Sequence, residues 1–348
     1  MAGRIERAWA GRGPLAITLL PLAVLFAALA ALHRALFRSG WLQSRRVAVP
    51  VVVVGNLVAG GAGKTPTVLA VVDLLRRRGW QPGIVSRGHG RSGSAVTEVK
   101  ADTVATLAGD EPLLLRRRSG APVVVGKDRA AAAETLLRLH PQVDVIVSDD
   151  GLQHRRLARD VQVLVFDERG VGNGWPLPAG PLREPLPAQL PPRSLVVYNA
   201  AQPTTALPGF IAQPSLAGLC TLQDWWAGAA PSLQALHALR GRRVVAAAGM
   251  ARPQRFFDML HAAGLAPTEL PLPDHHDFAT LPWPADTADV VVTEKDAVKL
   301  APARMHGARV WVWVATLDFA LGADFDAALA QLLASARPQR KNHGNPTA

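Results

Sequence analysis

With 348 residues, 49% of them hydrophobic, the chain has apolar material for two cores and is far from the composition of a disordered protein. A formal net charge of +11, carried by arginine more than lysine, calls for an anionic partner, while an aromatic content of 5% with no basic–aromatic interleaving sets nucleic acid aside in favour of phosphate or an acidic membrane surface. The single Cys220 excludes an intramolecular disulfide and any zinc site built on several cysteines, in keeping with a reducing compartment.

The first predicted element runs from Pro14 to Leu32, apolar apart from Thr18 and, at about twenty residues, long enough to cross a bilayer as a helix. Arg4, Arg7 and Arg12 precede it and Arg34, Arg38, Arg45 and Arg46 follow, so the distribution of positive charge sets no orientation. A cleaved signal peptide finds support in the small residues Ala28-Leu29-Ala30. It would, however, export the nucleotide-type loop described next to a compartment without ATP. A single span and a helix lying in the inner leaflet remain, and both leave the body of the protein on the cytoplasmic side. Residues 1–46 are read as this membrane anchor.

Val51 to Val54 form an unbroken β-branched run suited to a strand buried on both faces. The loop that follows, Gly55 to Gly63, leads into Lys64-Thr65-Pro66 and then a helix with Val68, Leu69, Val71, Val72, Leu74 and Leu75 on a broad apolar face. Strand, glycine loop, Gly-Lys-Thr and helix make a phosphate-binding loop. Backbone N–H groups from Gly60, Gly61, Ala62 and Gly63 cradle phosphates at a helix N-terminus, Lys64 neutralises charge, Thr65 reaches magnesium, and Pro66 fits a first helical turn that needs no donor. Val58 stands where the usual pattern has glycine.

Gly83 to Ser86 predicts a second strand, running into the basic loop Arg87-Gly88-His89-Gly90-Arg91. Asp110 and Glu111 then open a helix that ends in Arg116-Arg117-Arg118, as the helix dipole favours, and on local grounds Asp110 reads as its N-cap. Pro122 to Val125 is another strand, followed by Arg129 and an alanine-rich helix. Val143 to Asp150 is an apolar strand ending in two carboxylates, the complement a glycine loop requires for orienting magnesium. Val161 to Phe166 is a further strand, ending at Asp167. Strands alternating with helices predict a mainly parallel sheet wrapped on both sides, with ligands at the strands' C-terminal ends. The proline-rich run from Pro176 to Pro192 has the composition of a linker, with Arg183 and Glu184 held between prolines.

Beyond a boundary placed at 205/206 the alternation resumes: a strand over Val244 to Ala248, a helix over Pro253 to Ala263, and strands at Val290 to Thr293 and Val310 to Val314. The fold class expected is α/β, a phosphate-loop NTPase-like domain over residues 47–205 and a smaller α/β domain over 206–336, with a disordered tail from 337 to 348. Between these strands lies Pro273-Asp274-His275-His276-Asp277-Phe278, where adjacent histidines rule out the helical zinc pattern and leave a solvated loop or a proton-handling imidazole.

Taken together, VGNLVAGGAGKTP, SRGHG, GDEP, SDDGLQHRRL, NGWPLPAGPLREP, PDHHDF and TEKDAVKL resemble the tetraacyldisaccharide 4′-kinases of lipid A biosynthesis, in that family's order and over about residues 47 to 300. The resemblance implies transfer of the γ-phosphate of ATP to the 4′-hydroxyl of a lipid-linked glucosamine disaccharide 1-phosphate. It places the enzyme, as a monomer, at the cytoplasmic face of the inner membrane, with the active site in a cleft between two domains. It further implies Lys64 and Thr65 on phosphates and magnesium, Asp110 as base with His275 as its partner, and Asp149, Asp150 and Glu184 around Mg2+. Arg129 and Arg183 become phosphate contacts. His89 departs from the tyrosine usual at that position of the loop. The competing class, a membrane-associated NTPase switch, fits less well. Ala59 stands where a partition-type ATPase carries lysine, and Thr293-Glu294-Lys295-Asp296 has the wrong spacing for guanine recognition.

Overall fold

The computed structural model describes residues 8–305 and 310–336. Arg4, Arg7 and the expected tail at 337–348 lie outside the described residues.

Two sheets form the body. Strands β1 (Val51–Gly55), β2 (Pro82–Ser86), β3 (Thr97–Val99), β4 (Val123–Val125), β5 (Val145–Asp149), β6 (Val161–Asp167), β7 (Ser194–Asn199) and β8 (Phe210–Ile211) build an eight-stranded sheet in the order β3-β4-β2-β5-β1-β6-β7-β8. All neighbours are parallel except β3 and β4. Every residue of β1, β2 and β5 is buried, which is why these strands read as continuous apolar runs rather than alternating ones. Each large side chain so enclosed contributes about 1.5–3 kcal/mol. The centre of the sheet sets up the site. β1 lies between β5 and β6, and the register pairs Val54 with Asp149 and Gly55 with Leu164. The C-terminal ends of three strands thus open onto one crevice, where an open α/β sheet places its ligand.

The second sheet has five strands, β11-β10-β12-β13-β9, with β9 (Gln213–Thr221) antiparallel to β13 (Trp311–Ala320) and the neighbours among β10 (Val244–Ala248), β11 (Thr268–Pro271), β12 (Asp289–Thr293) and β13 parallel. Its boundary with the first sheet differs from the 205/206 division. β8 pairs with β7 of the first sheet, and the helix Gly322–Ala334 at the far end of the chain returns to pack on β6, β7 and β8. The physical reason is apolar continuity. One buried cluster runs from Val52 and Val71 through Val290 and Val314 to Phe325 and Leu329, so the two sheets share a core on this side.

Upstream, Pro14–Thr18 and Leu20–Arg38 are helical. Leu22, Val24, Leu25, Leu29 and Leu32 stay exposed along the longer helix, and Trp41 beyond it is 84% exposed. The chain around this pair is nevertheless fastened to the body through the proline-rich run, which is a packed loop and not a linker. Trp9 Nε1 donates to Pro178 O at 3.0 Å, and Asn173 Nδ2 donates to Gly11 O at 3.0 Å and Ala179 O at 2.9 Å. The Arg12 guanidinium lies 5.2 Å from the centre of the Trp175 ring. On its other side the same loop pairs with the glycine loop, Ala59 N donating to Pro181 O at 2.8 Å and Arg183 N to Leu57 O at 2.7 Å. Prolines remove donors without preventing this, because the carbonyls and the intervening N–H groups make the bonds.

Candidate active site

The glycine loop joins β1 to the helix Lys64–Arg77. Gly60 and Gly63 take left-handed φ values of +91° and +87°, so a side chain at either is strained. At Gly63 there is also no room, since a Cβ would come within 2.3 Å of Asn199 Nδ2. Val58, the departure from the usual pattern, is buried and forms an antiparallel bridge with Leu182, so its side chain packs where the proline-rich loop covers this turn. Lys64 Nζ sits 3.3 Å from Asn56 Oδ1 and 3.5 Å from Asp150 Oδ2, with its long stem largely enclosed.

Two adjacent carboxylates end β5, with opposite electrostatics. Asp149 is buried; its Oδ2 accepts from Ser86 Oγ at 2.9 Å, while its Oδ1 has no hydrogen-bond partner among the described residues. Burial, reinforced by the negative charges of Glu111 and Asp150, pushes its carboxyl up to about 7. Asp150 adopts φ +48°, a conformation Asp tolerates better than most residues, and turns to Arg183 Nη1 at 3.1 Å and to Lys64. Burial would raise Asp150 as well, but the charges of Lys64 and Arg183 outweigh it and hold the carboxyl below its usual range. An unpartnered buried carboxylate oxygen beside a glycine loop is a donor a hard cation can take, and Thr65 follows Lys64 at the helix start. Among the described residues no cluster of three acidic, His or Cys side chains is poised to hold a metal by itself.

The third group spans the two sheets. Asp110 is the first residue of the helix Asp110–Ser119, while Gly109 with φ +90° occupies the N-cap position expected for Asp110. The reason is steric as well as conformational, for a Cβ at Gly109 would meet His89 O at 2.7 Å. Freed from capping, Asp110 Oδ2 lies 2.8 Å from Nδ1 of His275, which arrives from the loop after β11 with φ +60°. Burial would raise the Asp110 carboxyl; the hydrogen bond with His275 and the nearby Lys295 charge win and lower it. The same hydrogen bond is the largest influence on His275 and raises its pKa. With Nδ1 engaged, Nε2 is the ring's remaining site for a proton.

Not every expected residue joins this crevice. Glu184, expected at magnesium, pairs with Arg155 Nη2 at 2.7 Å and lies 3.7 Å from Arg34 Nη1. Arg183 turns to Asp150, while the carboxylate of Glu184 lies between Arg155 and Arg34 of the N-terminal helix. Arg129, expected on phosphate, is buried with Nη1 donating to Gly126 O and Lys127 O, though it remains close enough to feel the charges of Asp149 and Asp150. His89 stands over the pair, its ring 5.9 Å from that of His275. Lys295 was missed from sequence. It reaches Asp274 at 3.1 Å and Glu111 at 3.6 Å, beside Asp110. Its only signal was its place at the C-terminal end of a buried strand, in the run Thr293-Glu294-Lys295-Asp296.

Parallel sheet, glycine loop with lysine, strand-end carboxylates and an aspartate–histidine pair that bridges the two sheets define a phosphate-loop kinase. A family model described as tetraacyldisaccharide-1-P 4′-kinase matches residues 15–334. The tetraacyldisaccharide 4′-kinase of Methylibium petroleiphilum is 56% identical over 340 residues, covering 97% of this chain and 95% of that protein. That of Leptothrix cholodnii is 55% identical, covering 97% and 98%. Among solved structures, LpxK from Aquifex aeolicus, described as an "apo" form in complex with ATP, superposes with a TM-score of 0.75 at 26% identity, covering 92% of this chain and 99% of that one. The chain belongs to the tetraacyldisaccharide-1-P 4′-kinase family.

Proposed function

We propose that this chain transfers the γ-phosphoryl group of ATP to the 4′-hydroxyl of a tetraacyldisaccharide 1-phosphate, a step of lipid A synthesis, and does so at the cytoplasmic face of the inner membrane. The observation that carries the chemistry is the 2.8 Å contact between Asp110 and His275 from opposite sheets, facing a glycine loop whose lysine is already in place. ATP seats its phosphates against the N–H groups of Gly60 to Gly63 and the first turn of the following helix, with Lys64 and Arg183 neutralising charge. Asp149, with its unpartnered Oδ1, and Thr65 would hold Mg2+, with Asp150 beside them; bound there, the ion would supply charge neutralisation for the transferred group.

The acceptor hydroxyl attacks phosphorus in line as the bond to the ADP oxygen breaks. Its proton passes to the pair, where Asp110 fixes Nδ1 and Nε2 is open to receive it. Positioning and electrostatics therefore supply most of the acceleration, and closure of the two sheets on the substrate excludes water that would otherwise hydrolyse ATP. Labelled phosphate transfer from ATP to a purified lipid disaccharide acceptor tests the reading. Transfer that depends on the acceptor supports it, and ATP turnover indifferent to the acceptor would favour the NTPase-switch class instead.

Membrane attachment rests on the exposed apolar side of Leu20–Arg38, a helix long and apolar enough to span a bilayer. Deleting residues 1–46 is expected to release much of the protein from membranes. Unchanged sedimentation of the truncated form would remove this part of the proposal.

A further inference from the structure

Strand β6 ends at Asp167, and the residues beyond it build an ion cluster that the reading above leaves without a role. Asp167 is wholly buried, and such a carboxylate persists only with strong partners. Arg169 supplies them from two residues away, Nε lying 3.1 Å from both carboxylate oxygens and Nη2 2.7 Å from Oδ2. The same guanidinium reaches the glycine loop: Nη2 donates to Gly61 O at 2.9 Å and Nη1 to Ala59 O at 3.5 Å. From the second sheet, in the loop after β10, Arg252 bonds to Asp167 Oδ2 and Glu168, and its Nη2 lies 3.5 Å from Gly61 O. Arg255 completes the cluster, pairing with Glu168 at 2.5 Å and donating to Asn199 O at 2.8 Å.

The carbonyls matter because a trans peptide plane holds its C=O and N–H pointing opposite ways. The carbonyl of Ala59 belongs to the peptide that carries Gly60 N–H, and that of Gly61 to the peptide that carries Ala62 N–H. Drawing both carbonyls toward Arg169 turns both N–H groups toward the other side of the loop, where an anion would lie. Gly60 can accept this orientation because φ +91° is available to it. We propose that Arg169, anchored on Asp167, is a positioning residue that aims the glycine loop's N–H groups at phosphate, and that Arg252 reinforces it only when the second sheet is closed over the loop. Closure would then do two things at once, bringing His275 to Asp110 and stiffening the phosphate cradle.

This inference rests on the kinase reading, and its test keeps the two apart. The full-length enzyme in detergent micelles carries Arg169→Gln, Arg169→Lys, Arg252→Gln or, as the reference for the reading itself, Lys64→Ala. Arg169→Lys keeps a cation beside the buried Asp167 and is expected to hold the unfolding midpoint close to that of the parent, whereas Arg169→Gln and Arg252→Gln each take a partner from that carboxylate and are expected to lower it. Misorientation of a cradle typically costs up to about a hundredfold, so kcat/KM for ATP should fall about tenfold to a hundredfold in Arg169→Gln while the KM for the lipid acceptor holds. Arg169→Lys should fall nearly as far, because an ammonium can pair with Asp167 but cannot fork to two carbonyls. Arg252→Gln should show a smaller loss, confined to turnover conditions in which the two sheets close. The interface itself is tested by Glu168→Arg and Arg255→Glu, each impaired alone and restored in combination. Arg169→Lys matching the parent would overturn the carbonyl-aiming role, as would an equal rise in both KM values. If Lys64→Ala transfers phosphate normally, it is the kinase reading that fails.

Discussion

Asp110 and Asp149 border one crevice, and both have lost nearly all contact with solvent. Burial acts on both in the same sense, yet the carboxyl of Asp110 ends below its ordinary range and that of Asp149 is pushed up to about 7. Cation placement makes the difference. His275 and Lys295 act on Asp110 from the second sheet, whereas Lys64 and Arg183 sit against Asp150, the neighbour of Asp149, and Arg129 spends its Nη1 on backbone carbonyls. Where two buried carboxylates are driven apart in this way, they are equipped for different tasks. One is bound to an imidazole from the second sheet, and the other presents an oxygen with no hydrogen-bond partner among the described residues.

The most severe way to break this contrast is Lys64→Ala, which removes the charge shared by the carboxylate pair and the phosphates. Turnover should drop by about a hundredfold or more, since loss of one preorganised electrostatic contact commonly costs that much. Initial rates of phosphate transfer at saturating ATP measure it. Next come Asp110→Ala and His275→Ala, each expected to lower kcat by about a hundredfold, the scale of general-base catalysis, with nucleotide affinity retained. Because the two act through one hydrogen bond, the double variant should lose less than the product of the single losses. Full additivity, or an unimpaired Asp110→Ala, would return Asp110 to a purely structural role.

Asp149→Asn sharpens the other side. Half-maximal rate should need about tenfold more magnesium, the lower end of what loss of a metal-associated group costs. In the parent, a carboxyl raised to about 7 must lose its proton to bind a cation, so magnesium affinity should climb with pH up to about 7 and then level off. The Asn variant should lack that slope. A titration of magnesium at several pH values distinguishes the cases.

The smallest effect is on stability. His275 has a folded pKa above its ordinary 6.5, so its contribution is complete below 6.5 and fades as pH rises through the raised value. Asp110 has a folded pKa below 3.8, so its contribution is present above 3.8 and fades as pH falls through the lowered value. The stability difference between parent and Asp110→Asn should therefore be widest between these limits and should narrow on the alkaline side. Denaturant midpoints across that range measure it, and a difference that widened above the His275 pKa would reverse the assignment.

Much of this could be read from the chain before any coordinates. Val51 to Val54 and Val145 to Val147 announce buried parallel strands because nothing polar interrupts them, and Gly60 to Thr65 carries its purpose in its spacing. Ser194 to Asn199 holds an equally apolar centre, yet its place after seven prolines masked a strand that proves wholly buried. Capping preferences pointed Asp110 toward a local duty; its link to His275, 165 residues away, came from the family resemblance and from nothing in the residues around it. Glu184 misled for a similar reason. Its neighbourhood is right, but its carboxylate is taken up by Arg155 and lies beside Arg34. Arg169 and Arg252 bear no pattern at all, since what they recognise is backbone.

The fastening of residues 8–12 to the loop at 173–182, with Arg34 held near Glu184, bears on geometry at a larger scale. A catalytic body hung from a flexible leash wanders through a hemisphere, and its mouth meets a surface at every angle. Here the helix with the exposed leucines is bolted to the same loop that braces Leu57 and Ala59. Whatever surface receives those leucines also receives the crevice, at one height and one heading. For a substrate confined to that surface, a crevice held at a fixed position would narrow the search from three dimensions to two.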